Sequence, residues 1–430
     1  MKIPSILSIF FCLFLISCES TIAFQDNVES TRISSIRSQE EAEFIAIQAL
    51  RNFVNNPNTK GMSREISTTF AINSVKTKSS AKDTLMYAVN FADSAGFALV
   101  SADRNAPELL AMVYSGNYSG EKTDCPAFNA YIQDLTENLS KSRTIPDLAS
   151  ANEMIFFDYD TTIVEHSVEP IISWDWHQDA PFNTYCISNT GEVCSAGCGA
   201  VAVAHAISRY SYPTTIDLTF DGAPLESITL NWSICKYHDV VHGQCETCNK
   251  NALLMREIGE LCNITYGGEN SGVTTVHKMR DCLTLLGYQS QLHEGYNINS
   301  IINSLDSEKA VILKGGRLES DGSQVGHSWI VDGYKYYEQT VKCYSYTSNS
   351  PLKMYEGYET RKTWYLNFEY GWRNSSYDGY YIAYSKLSGN GHRFDKPTDV
   401  ELITMFECAN GYTNSVYMLT DICPDNSNSN

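Results

Sequence analysis

The sequence predicts an α+β fold in two units, on three patterns. One amphipathic helix and a few short strand-like runs fill the first third of the chain. After a polar stretch, further helices come first and strands dominate beyond residue 310, an order typical of α+β domains in two lobes. Aromatic residues make up 12 %, with 27 tyrosines, which favours a strand-rich exported protein. At 430 residues the chain has room for two or three domains. Its 43 % hydrophobic and 19 % charged residues exclude a disordered or collagen-like chain. Lys plus Arg number 31 against 50 Asp plus Glu, a net charge of −19. Such a surface repels phosphate backbones, so nucleic acid is excluded as a partner.

The elements follow in order. Lys2, the apolar run from Ile6 to Ile16 and the small residue before Cys18 read as a signal, too short to span a bilayer. It resembles a bacterial lipoprotein signal in residues 1–17, with Cys18 as the lipidated residue; an ordinary signal peptide with an incidental cysteine is the alternative. A helix is expected over 38–54, with Ser38 and Glu41 as a capping box. Asn55 to Lys82 is polar. Leu85–Phe91 and Gly96–Ser101 read as strands around a turn, and Leu109–Tyr114 as a third. The linker is placed between about 140 and 165. A small-residue helix is expected from Cys198 to about Tyr210, stopped by Pro213, then helices over 253–261 and 273–286. Strands are expected over 310–314, 328–332, 335–344, 362–368 and 379–384. The end, 411–430, reads as a tail.

Fourteen cysteines are present. Setting aside Cys12, Cys18 and Cys125 leaves eleven, so at least one thiol of an exported protein is unpaired. Cys198 is the candidate. It lies between Gly197 and Gly199 at the expected helix start, where the macrodipole favours thiolate and the glycines leave room for a substrate backbone. A buried structural cysteine is the competing reading. His327, about 130 residues on, opens a strand after a Gly-rich loop and is the candidate base. The other eight histidines fit ordinary structural roles better. His238, His242, Cys245 and Cys248, with Cys235 nearby, read as a zinc site or as disulfide partners, and export favours disulfides. No metal or cofactor is assigned.

Four stretches together resemble the streptopain family of bacterial cysteine peptidases: Trp176 to Asn183, Ala196 to Pro213, Tyr266 to Tyr288, and Gly326 to Tyr334. The first unit is similar to that family's prosegment at Tyr87–Phe91 and Gly96–Asp103. The resemblance implies a papain-like two-lobed catalytic domain, a helical lobe plus an antiparallel β lobe, over 156–410. It also implies a small α+β prosegment domain over 18–155 that inhibits and assists folding. It makes Cys198 the nucleophile, His327 the acid/base and Gln178 the oxyanion partner. Ser271 and Gly326 become substrate contacts and Trp372 a shield over the pair. Protein or peptide substrates, broad specificity with an apolar preference, and a lipid anchor on an outer membrane or cell surface complete the expectation.

The sequence departs from the family pattern at 369–374. Glu369 stands where an asparagine is usual, and Tyr370 where a tryptophan is. Glu369, or Asn367 on the same strand face, is the expected orienter of His327. This departure leaves open a second reading, a catalytically weakened surface lipoprotein that binds peptides or host proteins. A thiol–disulfide oxidoreductase built on Cys245 and Cys248 is disfavoured, because that pair follows no strand of a βαβ unit.

Overall fold

The computed structural model describes residues 36–425 apart from 55–71, 80–83, 105, 143–155, 174–175, 222–226, 231, 233–245, 268–271, 319–323, 348–349, 373–376, 390–397 and 405–413. The signal segment, Cys18, Ser271, and the histidines and most cysteines of the 235–248 insertion therefore lie outside the described residues.

Helix α1 (Gln39–Val54) starts where Ser38 and Glu41 cap each other. The Glu41 N–H donates to Ser38 Oγ at 3.3 Å, and the Ser38 N–H to Glu41 Oε2 at 2.8 Å. It buries Ala42, Ala46, Ala49, Leu50 and Phe53 on one face. Strands β1 (Ile72–Ser79), β2 (Thr84–Phe91), β3 (Phe97–Ser101) and β4 (Leu109–Val113) form an antiparallel meander beside it. The polar stretch hides β1. Helix α2 (Pro126–Ser142) was not anticipated, although Phe128, Tyr131, Ile132, Leu135 and Leu139 recur at helical spacing and are buried.

The expected linker is shorter than the sequence suggested. Residues 156–168 form strand β5 (Phe156–Val168), paired from end to end with strand β10 (Gln324–Thr347). Its polar Asp-Thr-Thr centre imitates a loop, but backbone pairing to a long neighbour sustains it. Helix α3 (Cys198–Ser208) follows, with the short pair β6 (Thr215–Ile216) and β7 (Ile228–Thr229). Then come α4 (Glu246–Leu261), α5 (Val276–Leu285), β8 (Tyr288–Glu294), α6 (Ile298–Asp306) and β9 (Val311–Leu318). After β10 the chain completes the sheet with β11 (Ser350–Glu369), β12 (Gly379–Gly389), β13 (Thr398–Thr404) and β14 (Asn414–Pro424). No helix among the described residues is long and apolar enough to cross a membrane.

The reading of 411–430 as a tail is corrected by β14. This strand lies inside the sheet between β8 and β9 and buries Met418, Leu419, Thr420 and Ile422. It is too brief an apolar run to announce itself, and its stability comes from partners on both edges.

Among the described residues the large sheet has twelve strands in the order β1-β2-β3-β4-β12-β11-β10-β9-β14-β8, with β13 beside β12 and β5 beside β10. It is buried on both faces near its middle. Trp329 and Val331 of β10 enter one core, whereas Ile330 enters the other, under α3, α4 and α5. The sheet also joins the two predicted units. In β4, Ala111, Met112 and Val113 pair with Tyr381, Tyr380 and Gly379 of β12. Phe53 of α1 packs edge-on against Tyr365 and Tyr380, at 5.5 and 5.2 Å between ring centres.

Candidate active site

The nucleophile candidate stands where local sequence forces a helix to begin. Gly197, at φ 91°, turns the chain into α3, and no side chain caps that end. The free N–H groups of the first turn leave Cys198 at the positive helix end. Both flanking glycines are required, but for a reason other than substrate access. A Cβ at Gly197 would lie 2.9 Å from the Gly272 carbonyl oxygen, and one at Gly199 only 2.3 Å from Thr274 Cγ2. The space they leave is filled by the protein's own helical lobe.

His327 comes from β10 and is buried among aromatic rings. Trp329 stacks at 6.1 Å, and Trp372, the expected shield, meets the imidazole edge-on at 6.0 Å. His327 Nε2 lies 2.9 Å from the carbonyl oxygen of Tyr370. A carbonyl only accepts, so Nε2 carries the proton and Nδ1 is left for the thiol.

The Cys198 thiol is hydrogen-bonded to His327. Enclosure of the sulfur raises its pKa. The charge and hydrogen bond of His327, the charge of Lys314 and the backbone N–H of Ser328 together outweigh that, and lower it to about 6. Near neutral pH the sulfur is thus mostly thiolate.

Gln178 is fixed beside the nucleophile loop. Its carbonyl accepts the Ala196 N–H at 2.9 Å, and its Oε1 accepts the Ser195 hydroxyl at 3.1 Å. With Oε1 engaged, the side-chain NH2 is the free pole of the amide, as an oxyanion donor requires. Gly326 is exposed on β10, opposite Gly316.

The two expected orienters are elsewhere. Asn367 donates to Asp332 Oδ1 at 2.7 Å and accepts from the Tyr114 hydroxyl at 2.7 Å. Glu369 faces His205, with Oε2 3.8 Å from Nδ1. Strand parity explains Glu369: it pairs with Ile330, whose side chain enters the core under α3, whereas His327 shares the parity of Trp329 and Val331 on the other face, and the Tyr370 carbonyl reaches the imidazole instead. Sequence reading missed three contributors. Tyr370 acts through a backbone carbonyl. Asp378 accepts the Tyr370 N–H at 2.8 Å through Oδ1 and so braces that carbonyl. Lys314 acts from β9. Tyr370 stands in the 369–374 departure but contributes through its backbone, and Lys314 is brought beside Ser328 only by the pairing of β9 with β10.

The sequence profile of the Peptidase C10 family matches residues 176–381, and that of the Spi protease inhibitor matches residues 34–139. The thiol protease/hemagglutinin PrtT of Porphyromonas gingivalis is 22 % identical over 288 residues, 59 % of this chain and 32 % of PrtT. The chain thus spans about a third of the length of that relative. A fragment of Prevotella intermedia prointerpain A is similar at TM-score 0.46 and 19 % identity, over 72 % of this chain and 91 % of the fragment. The active interpain A cysteine protease of the same organism is similar at TM-score 0.35 and 19 % identity, over 50 % of this chain and 85 % of its own. Cys198, His327 and Gln178 fall inside the matched span, and residues 176–381 belong to peptidase family C10, the streptopain family of cysteine peptidases.

Proposed function

We propose that the chain is the zymogen of an exported cysteine endopeptidase, with Cys198 and His327 as its catalytic pair. The observation that carries this reading is the thiol of Cys198, hydrogen-bonded to His327 and lowered to about 6. The thiolate attacks a peptide carbonyl, and the Gln178 amide with the Cys198 N–H receives the oxyanion. The protonated Nδ1 of His327 gives its proton to the leaving amine, and an acyl-enzyme forms. His327 then takes a proton from water, whose oxygen attacks the thioester and frees Cys198. Throughout, the Tyr370 carbonyl holds the ring by Nε2–H.

The first unit, of the Spi inhibitor type, acts as the inhibitory prosegment. Its docking on the β12 edge and the aromatic face around Phe53 supports that role. Export, with lipidation at Cys18 and retention on an outer membrane or cell surface, is the reading of the N-terminal sequence. Gly326 and Ser271 are proposed to contact substrate backbone.

The intact pair favours the enzyme over a binding-only lipoprotein. The test compares wild type and Cys198→Ala on reduced, unfolded casein in mild reductant, after identical activation. Cleavage by the wild type alone is expected. Equal cleavage by both would remove the thiol from the mechanism.

A further inference from the structure

Glu369 addresses a histidine, though a different one from that expected. Its Oε2 lies 3.8 Å from Nδ1 of His205, with the two side chains 15 % and 3 % exposed. His205 is two turns beyond Cys198 on α3, and its Nε2 accepts the backbone N–H of Trp176 at 3.1 Å. A neutral imidazole has one donor and one acceptor. With Nε2 accepting, the proton is on Nδ1, directed at the carboxylate. At 3.8 Å the contact orients the ring electrostatically rather than through a direct hydrogen bond. The opposite tautomer would set N–H against N–H at Trp176 and a lone pair against the carboxylate. Burial, and then the charge of His177, lower His205 to about 3, so the ring is neutral at physiological pH.

Trp176 opens the run that holds Gln178. Its indole stacks near His205 at 6.3 Å and Trp232 at 6.1 Å, and meets Phe182 at 6.1 Å. Two residues on, Gln178 is tied to Ser195 and Ala196. The segment is therefore held downstream by the nucleophile loop and upstream by the Trp176 amide.

We infer that Glu369 is a positioning residue for the oxyanion side of the cleft: it holds His205 in the Nδ1–H form, His205 holds the Trp176 amide, and Trp176 sets Gln178 relative to Cys198. The inference rests on the peptidase reading. Adjacent residues then serve both histidines, Glu369 through its side chain and Tyr370 through its carbonyl.

Alkylation by iodoacetamide separates the two roles. The Cys198 sulfur displaces iodide from carbon and builds no oxyanion, whereas peptide cleavage does. Full-length wild type, E369Q and E369M are activated with immobilised trypsin and checked by thermal melting. E369Q keeps an acceptor toward Nδ1 and is expected within about threefold of wild-type kcat/KM on a fluorogenic peptide. E369M is expected to lose about 30-fold in kcat with KM within about twofold, while the alkylation rate and its pH midpoint stay near wild type. Cleavage by E369M at the wild-type rate overturns the inference, as does a parallel loss of cleavage and alkylation. Should E369M not fold, H205F, which removes the acceptor for Trp176, carries the same expectation. A wild type that is alkylated at Cys198 yet cleaves nothing defeats the peptidase reading, and this inference with it, before any variant is compared.

Discussion

At Cys198, enclosure of the sulfur pushes toward thiol while a histidine, a lysine, an amide and a helix end push toward thiolate, and the second group wins. Gln178, proposed as the oxyanion donor, is a separate device. Gln178→Ala is expected to lower kcat by about 10²-fold in peptide cleavage, with little change in iodoacetamide alkylation; a stopped assay beside a labelling assay checks this. Asp378 braces Tyr370, whose carbonyl holds His327. Asp378→Ala is therefore expected to cost about tenfold in kcat/KM, and Asp378→Asn, which keeps an acceptor, much less; steady-state kinetics on one peptide decides. Cys198, His327, Gln178 and Trp372 could be put forward from the sequence because their side chains recur in a family order. The orienting group could not, because it is a peptide carbonyl, and a carbonyl leaves no mark on the residue that bears it. Glu369, read as an orienter of His327, lies beside His205 instead.

Helix α3 shows what the small residues around the nucleophile are for. It is buried from Gly199 to Ser208, and Gly199 lets it close against Thr274 and Met279. Gly199→Ala is expected to destabilise the chain by about 1–3 kcal/mol through overpacking. Thr274→Ser removes the obstructing methyl and keeps the hydroxyl that donates to the Cys262 carbonyl, so the double variant should recover much of the loss. Urea melts of the four proteins check it, and simple additivity would contradict the contact. α1, with its apolar period and capping box, and α3, a run of small residues stopped by Pro213, were legible. β5 and β14 were not, since their cohesion comes from neighbouring strands distant in sequence.

The described residues are knit more tightly than a prosegment, a linker and a catalytic domain would suggest, because one sheet and one core run through both the first and the second predicted unit. Phe53 packs on Tyr365 and Tyr380, and Lys335, paired with Glu169 at 3.0 Å, lies over the Phe53 ring. In the full-length Cys198→Ala chain, Phe53→Ala is expected to cost about 3 kcal/mol. The loss should appear in a single cooperative transition, and two separate transitions by fluorescence and circular dichroism would contradict the shared core. Sequence composition could not show this union, since the joining residues are ordinary aromatics in each unit. The proposed chemistry depends on a Cys198 thiolate held at neutral pH by His327. Its most direct test is the pH dependence of iodoacetamide alkylation in the full-length chain, with the labelled residue identified by mass spectrometry. A single modification at Cys198, its rate rising with pH through a midpoint near 6, is the predicted result. A midpoint near the ordinary cysteine value of about 8.5, or label spread over other thiols, would contradict it.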